Sequence, residues 1–194
     1  MTKVVLTWQA LPQYQSQKVD SMSDSFSGTR SGSFTGTRPL HQQTVSAWIS
    51  SIGQDRGLPL NLGEDGHCSL QCGDELQCII EVPADDETQA VFLYIPLLSL
   101  PENDAAQLAL TKAALELNMF GLETGGSQIS LDNRTQHLVL SFAAQVEMLD
   151  EELFRQILGD FLDMGVSLHA KFLELSEQSL PSQHIKPATN SIIV

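Results

Sequence analysis

The sequence predicts an α+β domain: an antiparallel β-sheet with three helices, in the order α-β-β-β-α-β-β-α. Two observations lead there. Three stretches repeat apolar residues at helical spacing, and five short strand-like runs between them are bounded by Gly, Pro, Asp and Asn. At 194 residues and 42% apolar content, the chain has room for one domain with a real core and extra segments.

The first helix begins at Leu40. Val45, Trp48, Ile49 and Ile52 recur at steps of three, one and three, which places them on one apolar face, and Gly53 and Gly57 are expected to stop the helix. Cys68 to Cys72, Leu76 to Val82 and Ala90 to Leu98 then read as an antiparallel meander, with Gly73-Asp74 a tight turn and Pro83 to Thr88 an acidic loop. Pro101-Glu102-Asn103-Asp104 suits a helix start. The second helix continues through Leu108, Leu115 and Met119 to Gly121, and its Ala105, Ala109 and Ala113 face could admit another helix closely.

After Gly125-Gly126, Gln128 to Leu131 and His137 to Ala144 form a hairpin around Asp132-Asn133. Asp150-Glu151-Glu152 opens the last helix, where Leu153, Ile157, Phe161, Met164, Leu168, Phe172 and Leu175 step by three or four. A second row, Phe154, Leu158, Leu162 and Leu173, widens that stripe beyond a coiled-coil seam, so this helix is expected to cover a sheet. Order is expected to fade from Ser176. The division that results is an extension over 1–38, a domain over 39–176 and a tail over 177–194.

Charge follows the same division. Residues 1–38 carry four basic and two acidic side chains, a balance of +2, while residues 39–194 carry six and twenty-two, a balance of −16. Such a body repels phosphate backbones and anionic membrane surfaces, leaving proteins, particularly basic or apolar segments, as partners. The longest apolar run, Ala90 to Leu98, contains Pro96 and falls far below the roughly 20 residues that span a bilayer, so no membrane insertion is expected. Within the extension a short repeat recurs, Ser25-Phe-Ser-Gly-Thr-Arg30 and Ser33-Phe-Thr-Gly-Thr-Arg38. It reads as a low-complexity linker or as a docking tail whose Phe26 and Phe34 enter apolar sites while Arg30 and Arg38 meet acidic rims.

Catalytic chemistry finds little support. No phosphate loop, dinucleotide fingerprint, nucleophile elbow or paired-His metal motif occurs, so neither an enzyme, a metal nor a cofactor is expected. Cys68, Cys72 and Cys78 are an odd number at close spacing, which fits a reducing compartment rather than a disulfide framework. Their spacings of four and six are not a zinc knuckle, and His67 beside Cys68 would point to the opposite face of a strand instead of activating the thiol. His41, His137, His169 and His184 are scattered and read as structural.

The element order, together with Gly57-Leu-Pro-Leu60, Leu62-Gly-Glu-Asp-Gly-His-Cys-Ser-Leu70, Val91-Phe-Leu-Tyr-Ile-Pro-Leu-Leu98, Leu115-Glu-Leu-Asn118 and the Gly125-Gly126 hairpin, resembles the class I type III secretion chaperones, the Tir-chaperone-like family. The resemblance covers about residues 40–175. It implies an acidic homodimer of the bacterial cytoplasm that binds the N-terminal region of a secreted effector, with the secretion ATPase as a further candidate partner and neither nucleotide nor metal as cofactor. It also implies dimer contacts at Leu108, Ala109, Leu115 and Met119 of the second helix, and effector contacts at Val45, Trp48, Ile49, Ile52 and Leu70. The alternative for Val45, Trp48 and Ile49 is that they simply cover the sheet. An alternative function for the same fold is a regulatory module that sequesters a transcription or secretion regulator. Family members usually begin close to the first helix, so residues 1–38 are a departure. Part of them, Val4 to Trp8 as a strand or the Phe repeat, is expected to occupy an effector groove of the chain itself or of a partner subunit.

Overall fold

The computed structural model of the chain describes residues 9–10, 38–73, 75–85 and 87–179. The expected order of helices and strands is observed, with one strand added ahead of it. The elements are β1 (Gln9–Ala10), α1 (Leu40–Arg56), β2 (His67–Cys72), β3 (Leu76–Glu81), β4 (Ala90–Ser99), α2 (Asp104–Leu117), β5 (Gln128–Asp132), β6 (His137–Gln145) and α3 (Glu151–Ser179). All neighbouring strands are antiparallel, in the spatial order β1-β2-β3-β4-β6-β5.

Alternation decides which face becomes the core. Leu70, Cys72, Cys78, Ile80, Leu93, Ile95, Leu138 and Leu140 point to one side and are buried, while Ile79, Glu81, Phe92, Tyr94, Val139 and Ser141 point to the other and stay half-buried. Helix α3 lies on the buried side through Phe154, Leu158, Phe161, Leu162, Leu168 and Phe172. These draw on both rows of the expected stripe. Its outer margins, Leu153 and Leu173, reach solvent. Gly165 lets the helix backbone settle on β4, because a Cβ there would lie 2.5 Å from Ile95 Cδ1. The helix also runs on to Ser179, beyond the expected loss of order at Ser176.

Pro96 sits in a central strand, where a missing N–H ordinarily breaks the ladder. The ladder is arranged to do without it. β3 pairs with β4 only over Phe92–Tyr94, and the register with β6 shifts between Pro96 and Leu98 as a bulge. His169 of α3 donates from Nδ1 to the Leu97 carbonyl at 2.5 Å, so the bulged main chain finds a side-chain partner.

Helix α1 ends at Gly57, which adopts φ +68°. Gly53, expected as a second stop, lies inside the helix and serves a different need. A Cβ there would stand 2.5 Å from the Leu58 carbonyl oxygen, so glycine is what lets the following loop fold back on α1. At the other end His41 donates from Nε2 to the Pro83 carbonyl at 2.7 Å, and Gln42 donates to the Val82 carbonyl at 2.6 Å. These two buried side chains fasten the start of α1 to the exit of β3. Arg155 of α3 ties the helices together at the surface, meeting Asp55 at 2.6 Å and Glu151 at 3.0 Å.

Candidate functional site

The three thiols are the most nucleophilic side chains the sequence offers. Cys68, Cys72 and Cys78 are all free, buried and on the core face of β2 and β3. Burial pushes Cys68 and Cys72 up to about 11 and Cys78 well above its ordinary value, so none is a thiolate near neutral pH. His67 lies on the opposite face, its Nδ1 3.0 Å from the Asp65 carbonyl and its Nε2 3.9 Å from Glu81. No cluster of three or more metal-ligating side chains occurs among the described residues. A shallow depression of about 270 Å³, lined by Ser50, Gln54 and Leu58 to Asn61, is smaller than ordinary small-molecule sites.

Two consequences of the buried thiols are measurable. Iodoacetamide at pH 8 is expected to label none of the three in the folded protein on a timescale that labels all three in denaturant, as mass spectrometry would show. Stability is also expected to fall with alkaline pH. Unfolded thiols ionise near pH 9 while the folded ones hold their protons to about 11, so stabilisation is full below 9 and is lost as pH rises through 11. Urea denaturation midpoints at pH 8, 9 and 10 would follow it.

Helix α2 supplies the most apolar part of the described surface. Asn103 caps the helix by accepting from the Ala106 N–H at 3.0 Å. Ala106, Leu110, Ala114 and Leu117 turn inward. Leu108, Leu115 and Met119 share the outward side, and the chain continues past it into a short 3-10 turn, Met119–Gly121. There Phe120 takes φ +64°, a left-handed conformation costly for an aromatic residue, and its ring is left in solvent. Together Leu108, Leu115, Met119, Phe120 and Leu122 are 57% to 83% exposed. Ala109 is exposed beside them. Sequence reasoning named Leu108, Ala109, Leu115 and Met119 but missed Phe120 and Leu122. The available signal was an apolar run, Met119-Phe120-Gly121-Leu122, at the expected end of the helix, which stops earlier, at Leu117.

The residues proposed for effector contact are placed differently. Val45, Ile49, Ile52 and Leu70 are no more than 2% exposed and belong to the core under α3 and the sheet. In this structure their side chains are taken up by the core. Trp48 is half-buried, its ring 5.6 Å from that of Phe154, and keeps part of its surface free.

The two edges of the sheet complete the surface. At β5, Asn118 donates its side-chain N–H to the Ile129 carbonyl and accepts from the Ile129 N–H, both at 2.8 Å, so a side-chain amide pairs with the outward main chain as a strand would. At β2 the cover is β1, with Gln9 opposite Gln71 and Ala10 opposite Leu70. Arg38, the last residue of the second Phe-Arg repeat, donates to the carbonyls of Leu62 at 3.2 Å and Gly63 at 2.6 Å and approaches Ser46 Oγ at 3.3 Å. It meets carbonyl and hydroxyl oxygens where an acidic rim was expected. Phe26, Arg30 and Phe34 lie outside the described residues.

Solved structures share this fold. The chain is similar to one in the ExsC–ExsE complex, with a TM-score of 0.56 and 18% identity over 66% of this chain and 93% of that one. A chain of the HopA1–SchA chaperone–effector complex gives a TM-score of 0.51 and 14% identity over 68% and 98%. One from the heterodimeric ExoU–SpcU complex of the Pseudomonas aeruginosa type III secretion system gives 0.50 and 17% over 68% and 96%. No curated protein matches. The profile of the Tir chaperone protein (CesT) family matches residues 48–168, from the middle of α1 to the body of α3 and thus most of the described fold, and the chain belongs to that family.

Proposed function

We propose that this protein is a homodimeric chaperone of the bacterial cytoplasm that binds the N-terminal region of a type III secreted effector and keeps it soluble and competent for secretion. The observation that carries this reading is the family match over residues 48–168. Physical features support it. The body is strongly acidic, which favours encounter with basic segments, and a sheet edge can accept an extended chain through main-chain hydrogen bonds. No described helix is long and apolar enough to cross a membrane. The chaperone unit is taken as 39–176, extended to Ser179 by the run of α3.

For the dimer we assign Leu108, Ala109, Leu115 and Met119, joined by Phe120 and Leu122, since an apolar stripe of this extent on one helix is what a second copy would cover. For the effector, Trp48 and the β2 edge are the surfaces retained. The secretion ATPase is the further partner this reading implies, and no catalysis by the chain itself is involved.

Affinity capture of the full-length chain from its native cell, followed by mass spectrometry, tests the assignment. Recovery of one secreted protein, bound through its N-terminal region at two chaperone subunits per effector, is the expected result. A transcription or secretion regulator recovered in its place would transfer the function to the regulatory alternative, and recovery of neither would overturn the chaperone reading.

A further inference from the structure

We propose that the segment around Gln9–Ala10 is an intramolecular placeholder strand on the β2 edge, which an extended segment of a partner protein must displace in order to pair there. The identity of that partner rests on the chaperone reading. The placeholder is a property of this chain alone.

The two edges differ in how they are closed. At β5 the cover is a side chain fixed at the end of α2, donating and accepting at once to Ile129. At β2 the cover is a separate piece of chain remote in sequence. β2 pairs with β3 over six residues, His67 to Cys72, and among the described residues β1 pairs with Leu70 and Gln71. Main-chain pairing is largely indifferent to sequence, so an extended segment of a partner can take the edge groups that β1 occupies.

A second contact anchors the chain beside this edge. Arg38 fixes the far end of the extension to the carbonyls of Leu62 and Gly63, immediately before β2, and Gly63 itself donates to the His67 carbonyl at 2.7 Å. Gln9–Ala10 pairs with β2 and Arg38 is held by the loop that leads into β2. A strand covalently joined to its own edge has an effective concentration on the order of millimolar, which a tighter ligand can overcome. The sequence beside β1 suits the role. Val4-Val5-Leu6-Thr7-Trp8 is rich in the β-branched and aromatic residues that strands favour, and the +2 extension is drawn toward a −16 body.

The test uses the full-length chain with Gln9→Pro and Ala10→Pro, which removes the amide donors of β1 and leaves Arg38 and the domain untouched. Hydrogen exchange at the β2 amides that face β1 is expected to quicken by about tenfold while the β4 and β6 amides keep their rates. A synthetic peptide of residues 1–15 of this chain is expected to bind the variant about fivefold more tightly than the wild type, because the wild-type edge is already occupied. Unchanged exchange, or equal peptide binding by the two proteins, would overturn the proposal. So would wild-type protection that varies with protein concentration, which would mean that a second copy supplies the strand. Failure of the chaperone reading looks different: no secreted protein is captured by either form, and the exchange and peptide results still stand. Where a secreted protein is captured, tighter binding to the variant supports displacement and equal binding to both forms refutes it.

Discussion

Under the proposed pairing of two copies through α2, replacing Leu108 and Leu115 together with Glu is expected to leave a monomer that keeps its fold. Both side chains are more than half exposed and lie on the side of α2 opposite Ala106, Leu110, Ala114 and Leu117, so the substitutions leave the core alone. In a two-fold interface each residue is present twice, and burying a leucine contributes about 1.5–3 kcal/mol. The replacements also place four carboxylates in one desolvated patch between bodies that are already acidic. A loss of at least about a hundredfold in dimer affinity follows, close to 3 kcal/mol. Sedimentation equilibrium would read the mass and circular dichroism the helix content. The melting temperature of the wild type should rise with protein concentration and that of the variant should not. A dimer that survives the double substitution would remove α2 from the interface.

Gly66→Ala is expected to be the most damaging single-methyl change in the domain. Gly66 has φ +79°, and a Cβ would stand 2.4 Å from the Val82 carbonyl oxygen and 2.7 Å from Gln42 Nε2. That carbonyl is held by the Gln42 amide, and the Gly66 carbonyl accepts from the Val82 N–H at 2.9 Å, so neither neighbour can retreat without breaking a hydrogen bond. The left-handed backbone costs a non-glycine residue about 1–2 kcal/mol, and crowding against fixed atoms adds about 1–3 kcal/mol. Gly57→Ala separates the two contributions. It has φ +68° with nothing near its absent Cβ, so only the backbone cost of about 1–2 kcal/mol should appear. Urea denaturation of both variants decides the matter, and equal losses would show that crowding at Gly66 is relieved.

The contrast between these glycines also shows what the sequence could and could not reveal. Strand and helix positions were legible because alternation and helical spacing depend on local geometry alone. The strands β2 to β6 fall within one or two residues of the expected limits. Glycine, by contrast, serves several purposes with one symbol. Gly57 ends a helix as read, Gly53 admits a loop carbonyl and Gly66 threads past the exit of β3, and only the tertiary structure tells them apart.

Apolar spacing carries a similar ambiguity. It marks Val45, Ile49 and Ile52 as one face and Leu108, Leu115 and Met119 as another, yet the first is sealed under α3 and the second is open. Spacing records that a face is apolar, and its neighbour in space decides whether anything is left to bind. Phe120 and Leu122 escaped notice because they follow the helix in a turn with no period. The strand expected at Val4 to Trp8 lies outside the described residues, and β1 at Gln9–Ala10 is not legible in the sequence, since pairing between residues so far apart has no local signature.

Asn118 has a consequence for the protein at high concentration. A sheet whose two ends both accept strands can add copies without limit, the first step toward fibrils. Here the Asn118 amide occupies the outward N–H and carbonyl of Ile129, so a strand approaching the β5 edge has to displace it before pairing at that residue. A second copy of the chain meets the same obstacle, which disfavours growth in series from this edge.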